Sequence, residues 1–226
     1  MKAWLEELLR QRHFLTLVLA AIAVGAVWAF IELADELREG ELAAIDERLL
    51  HLLREPGNPA EPIGPRALEV AVRDITALGS VAVLTLFVAL AVIVLWMERQ
   101  RRAASWLAIA SLGASVLNVL LKSVFARERP ALLDSELLPG SFSFPSGHAF
   151  LSAAIYLTAG ALLTQVIAKP ATRAIVLAAA VLVTVLIGLS RVYLGVHYPS
   201  DVLAGWTLGL CWAALCWAVF WNLRQR

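Results

Sequence analysis

Six long apolar runs dominate this chain of 226 residues. Each approaches or exceeds the roughly 20 apolar residues that an α-helix needs to cross a bilayer. A spanning helix pairs its backbone polar groups internally, as the hydrocarbon interior requires. Only 16% of the residues are charged, against about a quarter in soluble domains. We therefore predict an all-α bundle of six transmembrane helices, at residues 14–34, 77–97, 103–121, 147–168, 174–190 and 202–221.

The charges between these runs predict how the chain lies across the membrane. Six crossings place both termini on one side, and the short segments on that side are rich in Lys and Arg. Such segments are typical of the cytoplasmic side. The sequence thus predicts a single multi-pass domain over residues 1–226 with cytoplasmic termini. The net charge of +1 gives no indication of a nucleic-acid partner.

Residues 35–76, here called the connector, are the least membrane-like part and carry ten acidic residues against five arginines. Residues 41–54 have the pattern of an amphipathic helix, and a second short helix is predicted over residues 66–75. Two interpretations stay open: a surface-lying connector, or a lid that admits lipid to a site. The predicted apolar stripe of the first helix consists of Leu42, Ile45, Leu49, Leu52 and Leu53.

Three polar clusters occur at helix ends on the predicted outer side, where topology alone does not require cations. The first runs from Lys122 to Arg129 and Pro130, and the second is Pro145-Ser146-Gly147-His148. Between the signature positions of the first cluster, Arg127 and Glu128 are interpreted as a solvated pair. The third cluster contains Ser190, Arg191, His197 and Asp201.

The residue types in these clusters suit a phosphate group. Lys and Arg side chains bind phosphate oxygens, and Arg can bind two of them at once. Ser146 is a good helix N-cap and Gly147 lets a ligand approach the backbone, at a helix N-terminus that favours anions. His148, in the first turn, is placed to donate a proton as a general acid.

His197 and Asp201 are four residues apart, where the sixth predicted helix begins. In a helical turn this spacing brings the carboxylate beneath the imidazole. A carboxylate that accepts from Nδ1–H fixes the tautomer and leaves the other ring nitrogen available for attack. The pair therefore predicts a nucleophilic histidine with an orienting carboxylate.

Together the clusters resemble the signature motifs of the type-2 phosphatidic acid phosphatase superfamily, which read K-x6-R-P, P-S-G-H and S-R-x5-H-x3-D. They stand here at residues 122–130, 145–148 and 190–201 with every internal spacing matched, so that the motif core spans residues 122–201.

The resemblance implies a role for each residue. His197 resembles the nucleophile that forms a phosphohistidine, and Asp201 resembles its orienting carboxylate. His148 resembles the acid that protonates the leaving group and then activates water. The family needs neither a metal nor another cofactor. The implied phosphate cradle consists of Lys122, Arg129, Arg191, Ser146 and Gly147.

The predicted function is therefore hydrolysis of a lipid phosphomonoester or of a terminal lipid pyrophosphate, at the periplasmic face of a bacterial inner membrane. Among the lipids on which bacterial relatives act, undecaprenyl pyrophosphate is the first candidate, followed by phosphatidylglycerophosphate and phosphatidic acid. A phosphotransferase of the same fold and a non-catalytic lipid-binding relative stay open as alternatives. The sequence does not decide the oligomeric state.

Overall fold

Helices dominate the computed structural model of the chain, which describes residues 2–130 and 142–224. One two-stranded antiparallel hairpin interrupts them. In chain order the elements are α1 (Lys2–Glu39), α2 (Glu41–His51), β1 (Arg54–Glu55), β2 (Asn58–Pro62), α3 (Arg66–Ala77), α4 (Val81–Met97), α5 (Arg101–Phe125), α6 (Gly147–Leu163), α7 (Pro170–Tyr193) and α8 (Pro199–Arg224).

Length and composition do not confirm all six predicted membrane crossings. Four helices, α1, α5, α7 and α8, are long and apolar enough to span a bilayer, and α3 with α4 forms a fifth candidate bent by 49°. The remaining helix, α6, has 17 residues. That length gives about 25 Å, less than the roughly 30 Å of a hydrocarbon core. By length and composition, the described chain is a multi-pass membrane protein with four or five candidate spans.

Helix α6 forms the centre of the bundle and not its lipid-facing surface. Twelve of its 17 residues are buried. It packs closely against α8, where an added Cβ on Gly205 would lie 2.8 Å from the carbonyl oxygen of Ser146. An added Cβ on Gly209 would overlap Ala153. The G-x-x-x-G pair therefore lets the two helices approach, as small residues do in membrane bundles.

The connector breaks away from α1 at Gly40. This residue has a φ of 81°, in the left-handed region that glycine occupies at little cost. The predicted helix over residues 41–54 ends at His51, so its last turn was wrong. The β1–β2 hairpin follows instead. The second predicted helix is present as α3.

The face that α2 buries also differs from the predicted stripe. Asp46 and Leu50 are its buried residues. By contrast, Ile45, Leu49 and Leu52 are exposed. The apolar stripe therefore faces outward, as in a helix that lies at a membrane surface. A carboxylate points into the protein instead, and its partners lie at the candidate site.

Candidate active site

The third cluster occupies the turn between α7 and α8. The Nδ1 atom of His197 lies 3.3 Å from Oδ2 of Asp201, and that oxygen also accepts the backbone N–H of Tyr198 at 2.9 Å. Both side chains are almost fully buried, with exposed fractions of 1% and 0%. The structure thus brings the predicted imidazole and carboxylate together, but His197 lies in a bend before α8 begins at Pro199 and not in a helical turn.

Burial lowers the pKa of His197 to about 4, and the cations of Arg129 and Arg191 act in the same direction while Asp201 opposes them. The ring is therefore neutral at pH 7. In the tautomer that donates from Nδ1 to Asp201, the lone pair is on Nε2. That nitrogen lies 3.3 Å from Nη1 of Arg129. A phosphorus atom attacked by Nε2 would have a guanidinium beside it.

The second cluster forms the start of α6. Ser146 occupies the N-cap position with an extended backbone, and its N–H donates to the carbonyl of Asp201 at 2.9 Å. Its Oγ is buried, and within residues 2–130 and 142–224 it has no hydrogen-bond partner. An added Cβ on Gly147 would lie 3.3 Å from Cε of Lys122. The start of α6 therefore packs closely against Asn118 and Lys122 of α5, and a side chain at position 147 would crowd them.

His148 lies in the first turn of α6, inside the same group of charges. It interacts electrostatically with Arg191, His197, Lys122 and Arg129. Its ring also packs close to Gly79, in the turn between α3 and α4. The two histidines therefore share one site, which the sequence predicted from motifs 49 residues apart (His148 to His197).

The first cluster reaches the site from the end of α5. Lys122 is in the last turn of this helix, and its Nζ donates to the carbonyl of Phe142 at 3.1 Å. Arg129 donates from Nη1 to the carbonyl of Val196 at 2.7 Å, which anchors it beside His197. Burial lowers the pKa of Arg129, and Asp201 opposes that effect. All three clusters thus meet at one end of the bundle.

Arg191 completes the group of cations from the last turn of α7. Its side chain is buried, and Nη1 donates to Oγ1 of Thr76 at 3.0 Å. In the described part of the chain its Nε is buried without a hydrogen-bond partner. Two buried polar atoms, this Nε and the Ser146 Oγ, therefore border the site, and both fit an oxygen-rich anion.

A family model described as the PAP2 superfamily matches residues 103–225, which is more than half of the chain. The chain belongs to the PAP2 superfamily. This match covers α5 to α8 and hence all three clusters.

Two curated proteins that are similar to this chain are named as phosphatases. Phosphatidylglycerophosphatase B of Bacillus subtilis is 43% identical over 98 residues, which are 42% of this chain and 47% of the relative. The undecaprenyl-diphosphatase of Sulfolobus acidocaldarius is 36% identical over 119 residues, or 50% of this chain and 52% of the relative. The chain thus spans about half the length of these curated relatives.

Solved structures extend the similarity beyond the motif core. A transmembrane PAP2-type phosphatidylglycerolphosphate phosphatase from Bacillus subtilis matches with a TM-score of 0.73 and 26% identity, covering 90% of this chain and 96% of that one. LpxE of Aquifex aeolicus matches with a TM-score of 0.51 and 29% identity, covering 77% and 92%. The similarity in fold therefore extends over most of the chain and is not limited to the part that carries the three clusters.

One residue of this PAP2 site contradicts the sequence-based interpretation. Arg127 is not a solvated partner of Glu128, because only 14% of its side chain is exposed. Its Nη1 donates to Oδ1 of Asp201 at 2.7 Å, and its Nη2 donates to Oδ2 of Asp46 at 2.8 Å. These carboxylates raise the pKa of Arg127, against the lowering effect of burial. A loop residue at a position where the motif allows any residue therefore contacts the predicted orienting carboxylate.

The connector contributes two further contacts that sequence reasoning missed. The buried Arg54 donates from Nη2 to the carbonyls of Val192 and Tyr193, at 3.1 and 2.6 Å, and so caps the end of α7. Gly195, with a φ of 72°, leaves room for this guanidinium, since an added Cβ would lie 3.0 Å from Nη2. Burial lowers the pKa of Arg54. The turn that carries His197 is thus held from outside the bundle.

The sequence did not set Asp46 apart from the other acidic residues of the connector. In the structure it lies on the buried face of α2, whereas Ile45 and Leu49 of the predicted apolar stripe are exposed. A buried charge must be paired. Nothing in the sequence identified either the burial of Asp46 or Arg127 as its partner.

Proposed function

We propose that this PAP2 protein is a membrane lipid phosphatase that works through a phosphohistidine on His197. The observation that carries the proposal is the convergence of Arg129 and Arg191 on a neutral, buried His197 already paired with Asp201. Phosphoryl transfer depends mainly on positioning and on neutralising the phosphoryl oxygens. A cluster of fixed cations beside an oriented nucleophile supplies both.

In the first step, Nε2 of His197 attacks phosphorus and a P–N bond forms. The P–O bond to the lipid breaks, and His148, which is protonated once the negative phosphate is bound beside it, gives its proton to the leaving oxygen. Lys122, Arg129 and Arg191 neutralise the phosphoryl oxygens, and the N–H groups at the start of α6 favour the same charge. Asp201 stabilises the charge that develops on the His197 ring.

In the second step, water attacks the phosphorus of the phosphohistidine. His148, now neutral, takes a proton from this water, and the P–N bond breaks with its electron pair returning to Nε2. The products are inorganic phosphate and either a lipid alcohol or, from a pyrophosphate, a lipid monophosphate. Each residue is then restored to its starting protonation state.

We infer that the substrate is a lipid because the proposed cradle lies where apolar helices end. Undecaprenyl pyrophosphate is the first candidate, with phosphatidylglycerophosphate and phosphatidic acid next. The proposed topology has six crossings, with α6 as a short central span, cytoplasmic termini and the site at the periplasmic face. Acidic character in the connector and basic character in the opposite loops support this orientation.

The test is phosphate release by the purified protein in detergent with EDTA, using the three candidate lipids and a soluble phosphomonoester. His197→Ala is compared with His51→Ala, because His51 is an exposed histidine of α2. Release that continues in EDTA, persists in the His51 variant and disappears in the His197 variant supports the proposal. Full activity of His197→Ala would exclude the mechanism. Transfer of label to an added lipid or sugar, instead of release, would identify a phosphotransferase.

A further inference from the structure

We propose that Asp46 and Arg127 are positioning residues, which fix the carboxylate of Asp201 against His197 and make α2 a static part of the active site. This inference rests on the proposed function, since it assumes that His197 is the nucleophile. It assigns the connector a task that differs from that of a moving lid. The contacts of the three side chains carry the argument.

The carboxylate of Asp201 is held through both oxygens. Oδ2 faces Nδ1 of His197, while Oδ1 accepts Nη1 of Arg127 at 2.7 Å. Rotation of the carboxylate would break one of these contacts. Since a misplacement of about 1 Å can cost roughly 100-fold in rate, a group that fixes this carboxylate acts on turnover through His197.

Arg127 is itself held by a second carboxylate on a different element. Its Nη2 donates to Asp46, and its planar guanidinium lies over the ring of Tyr198. The Cζ atom is 4.1 Å from the centroid of that ring. Asp46 comes from α2 and is 2% exposed. One guanidinium therefore joins the connector to the turn that carries His197. Two buried carboxylates share it, so each loses its arginine partner when Arg127 is removed.

Asp46 also holds the start of α8 directly. Its Oδ1 accepts the backbone N–H of Ser200 at 2.9 Å, and its Oδ2 accepts the Ser200 hydroxyl. A carboxylate at a helix N-terminus satisfies a backbone donor and favours the helix dipole. Ser200 precedes Asp201, so α2 fixes the backbone of the catalytic turn as well as its side chain. A helix with these buried contacts cannot swing without disrupting the site.

The charges around His197 give a readout that loss of stability alone would not change. Asp201 raises its pKa, whereas Arg129 and Arg191 lower it. His148 faces it from α6. Arg127 lies behind Asp201 and offsets part of its negative charge. When Arg127→Gln removes that cation, Asp201 acts more strongly, and the pKa of His197 rises. The fall of kcat/KM at low pH, here called the acidic limb, reports ionisation of the free enzyme. It should therefore move to higher pH.

The experiment measures kcat, KM and the acidic limb for Arg127→Gln, Arg127→Lys and Asp46→Asn on the best lipid substrate. We expect Arg127→Gln to lower kcat roughly 10- to 100-fold at nearly constant KM, because Arg127 contacts the orienting carboxylate and not the proposed cradle. Arg127→Lys keeps the charge but cannot bridge two carboxylates with a planar fork. Its acidic limb should stay at the wild-type pH, whereas its kcat should be lower than that of the wild type. Asp46→Asn should lower kcat by a smaller factor.

Arg73→Gln is the matched control, since this connector arginine is exposed and pairs with Glu69 within α3. It should leave all three quantities unchanged. Inhibition by inorganic phosphate reports whether each variant keeps a folded cradle, and its Ki should stay at the wild-type value. Wild-type kcat in Arg127→Gln and Asp46→Asn would overturn the inference. So would a fall in kcat for Arg127→Gln with no movement of its limb. If His197→Ala retains activity, the proposed function fails instead.

Discussion

The bundle of α4 to α8 and the connector contribute to the site in different ways. The bundle and the turns between its helices supply the groups proposed to touch phosphate. These groups are Lys122, Arg129, Arg191, Ser146, Gly147 and both histidines. The connector supplies groups that contact those residues or their backbone, namely Asp46, Arg54 and Thr76. The first set must have particular chemical types because phosphate requires them. The second set must only match neighbouring carbonyls, hydroxyls and guanidinium groups, so it leaves no motif in the sequence.

The largest expected effect is a change in the bundle itself, Asp201→Asn. An amide keeps the size of the side chain but cannot hold the same tautomer of His197. We expect kcat to fall by roughly 10²- to 10⁴-fold with residual turnover, as for a similar orienting carboxylate. Steady-state kinetics on the best lipid measures it. A variant with wild-type kcat would show that Asp201 does not orient the nucleophile.

The pH dependence of the wild type follows from the lowered pKa of His197. The nucleophile is the neutral ring, so its competent fraction is constant well above pH 4 and falls about tenfold per unit below it. Because Asp201 raises this pKa, Asp201→Asn should move the limb to lower pH, opposite to the shift expected for Arg127→Gln. Profiles of kcat/KM in buffers of matched ionic strength measure both. A wild-type limb near pH 6.5, the ordinary pKa of histidine, would contradict the buried neutral ring.

In the connector, Arg54→Gln should reduce stability more than it alters chemistry. The change leaves two carbonyls at the end of α7 with a weaker donor. Hydrogen bonds from charged groups contribute about 1.5–3 kcal/mol, and we expect a loss of that order. Thermal unfolding in detergent, followed beside the kinetics of the remaining folded protein, separates the two effects. A stability equal to that of the wild type would mean that the hairpin does not hold α7.

A comparable change within the bundle is Gly209→Ala. The added methyl group would meet Ala153 and lie 2.9 Å from the carbonyl of Phe150, so α6 and α8 must separate. Overpacking of this kind costs about 1–3 kcal/mol. The melting temperature should fall. The matched control is Gly25→Ala in α1, where an added Cβ meets nothing within 4 Å and the melting temperature should not fall. An unchanged melting temperature for Gly209→Ala would mean that α6 and α8 pack less closely than described.

The smallest effect is expected on the outer surface of the connector. Arg73 and Glu69 form an exposed pair at 2.6 Å, four residues apart on α3. Exposed pairs contribute at most about 1 kcal/mol and are screened by salt. Arg73→Ala should therefore change the unfolding free energy by less than about 1 kcal/mol. A larger loss would indicate that α3 depends on its surface charges as well as on its contact with Arg191.

The sequence predicted the bundle better than the connector for a physical reason. Apolar runs and helix-end motifs are local patterns, so helix α1, the five helices of the bundle and the meeting of three clusters followed from them. The end of α2 and the β1–β2 hairpin depend on contacts between Arg54 and α7, which are far away in the chain. No local pattern encodes such contacts.

The interpretation of Arg127 was wrong for a related reason. An arginine beside Glu128, at a position where the motif allows any residue, resembles a solvated loop residue. Its burial depends on Asp46, which is contributed by another helix and lies 81 residues away. The six predicted crossings are likewise not all confirmed, because α6 is buried and has only 17 residues. Both differences arise where tertiary packing decides the environment of a residue.

The most direct test of the account is to trap the phosphoenzyme. The protein is mixed with a lipid labelled in its terminal phosphate, quenched in alkali within one turnover, and the label is mapped by peptide analysis. The account predicts label on His197 that is stable to alkali, labile to acid, and absent from His197→Ala but present in His51→Ala. Label on another residue, or release of phosphate from an active enzyme that never becomes labelled under these conditions, would contradict a phosphohistidine at His197.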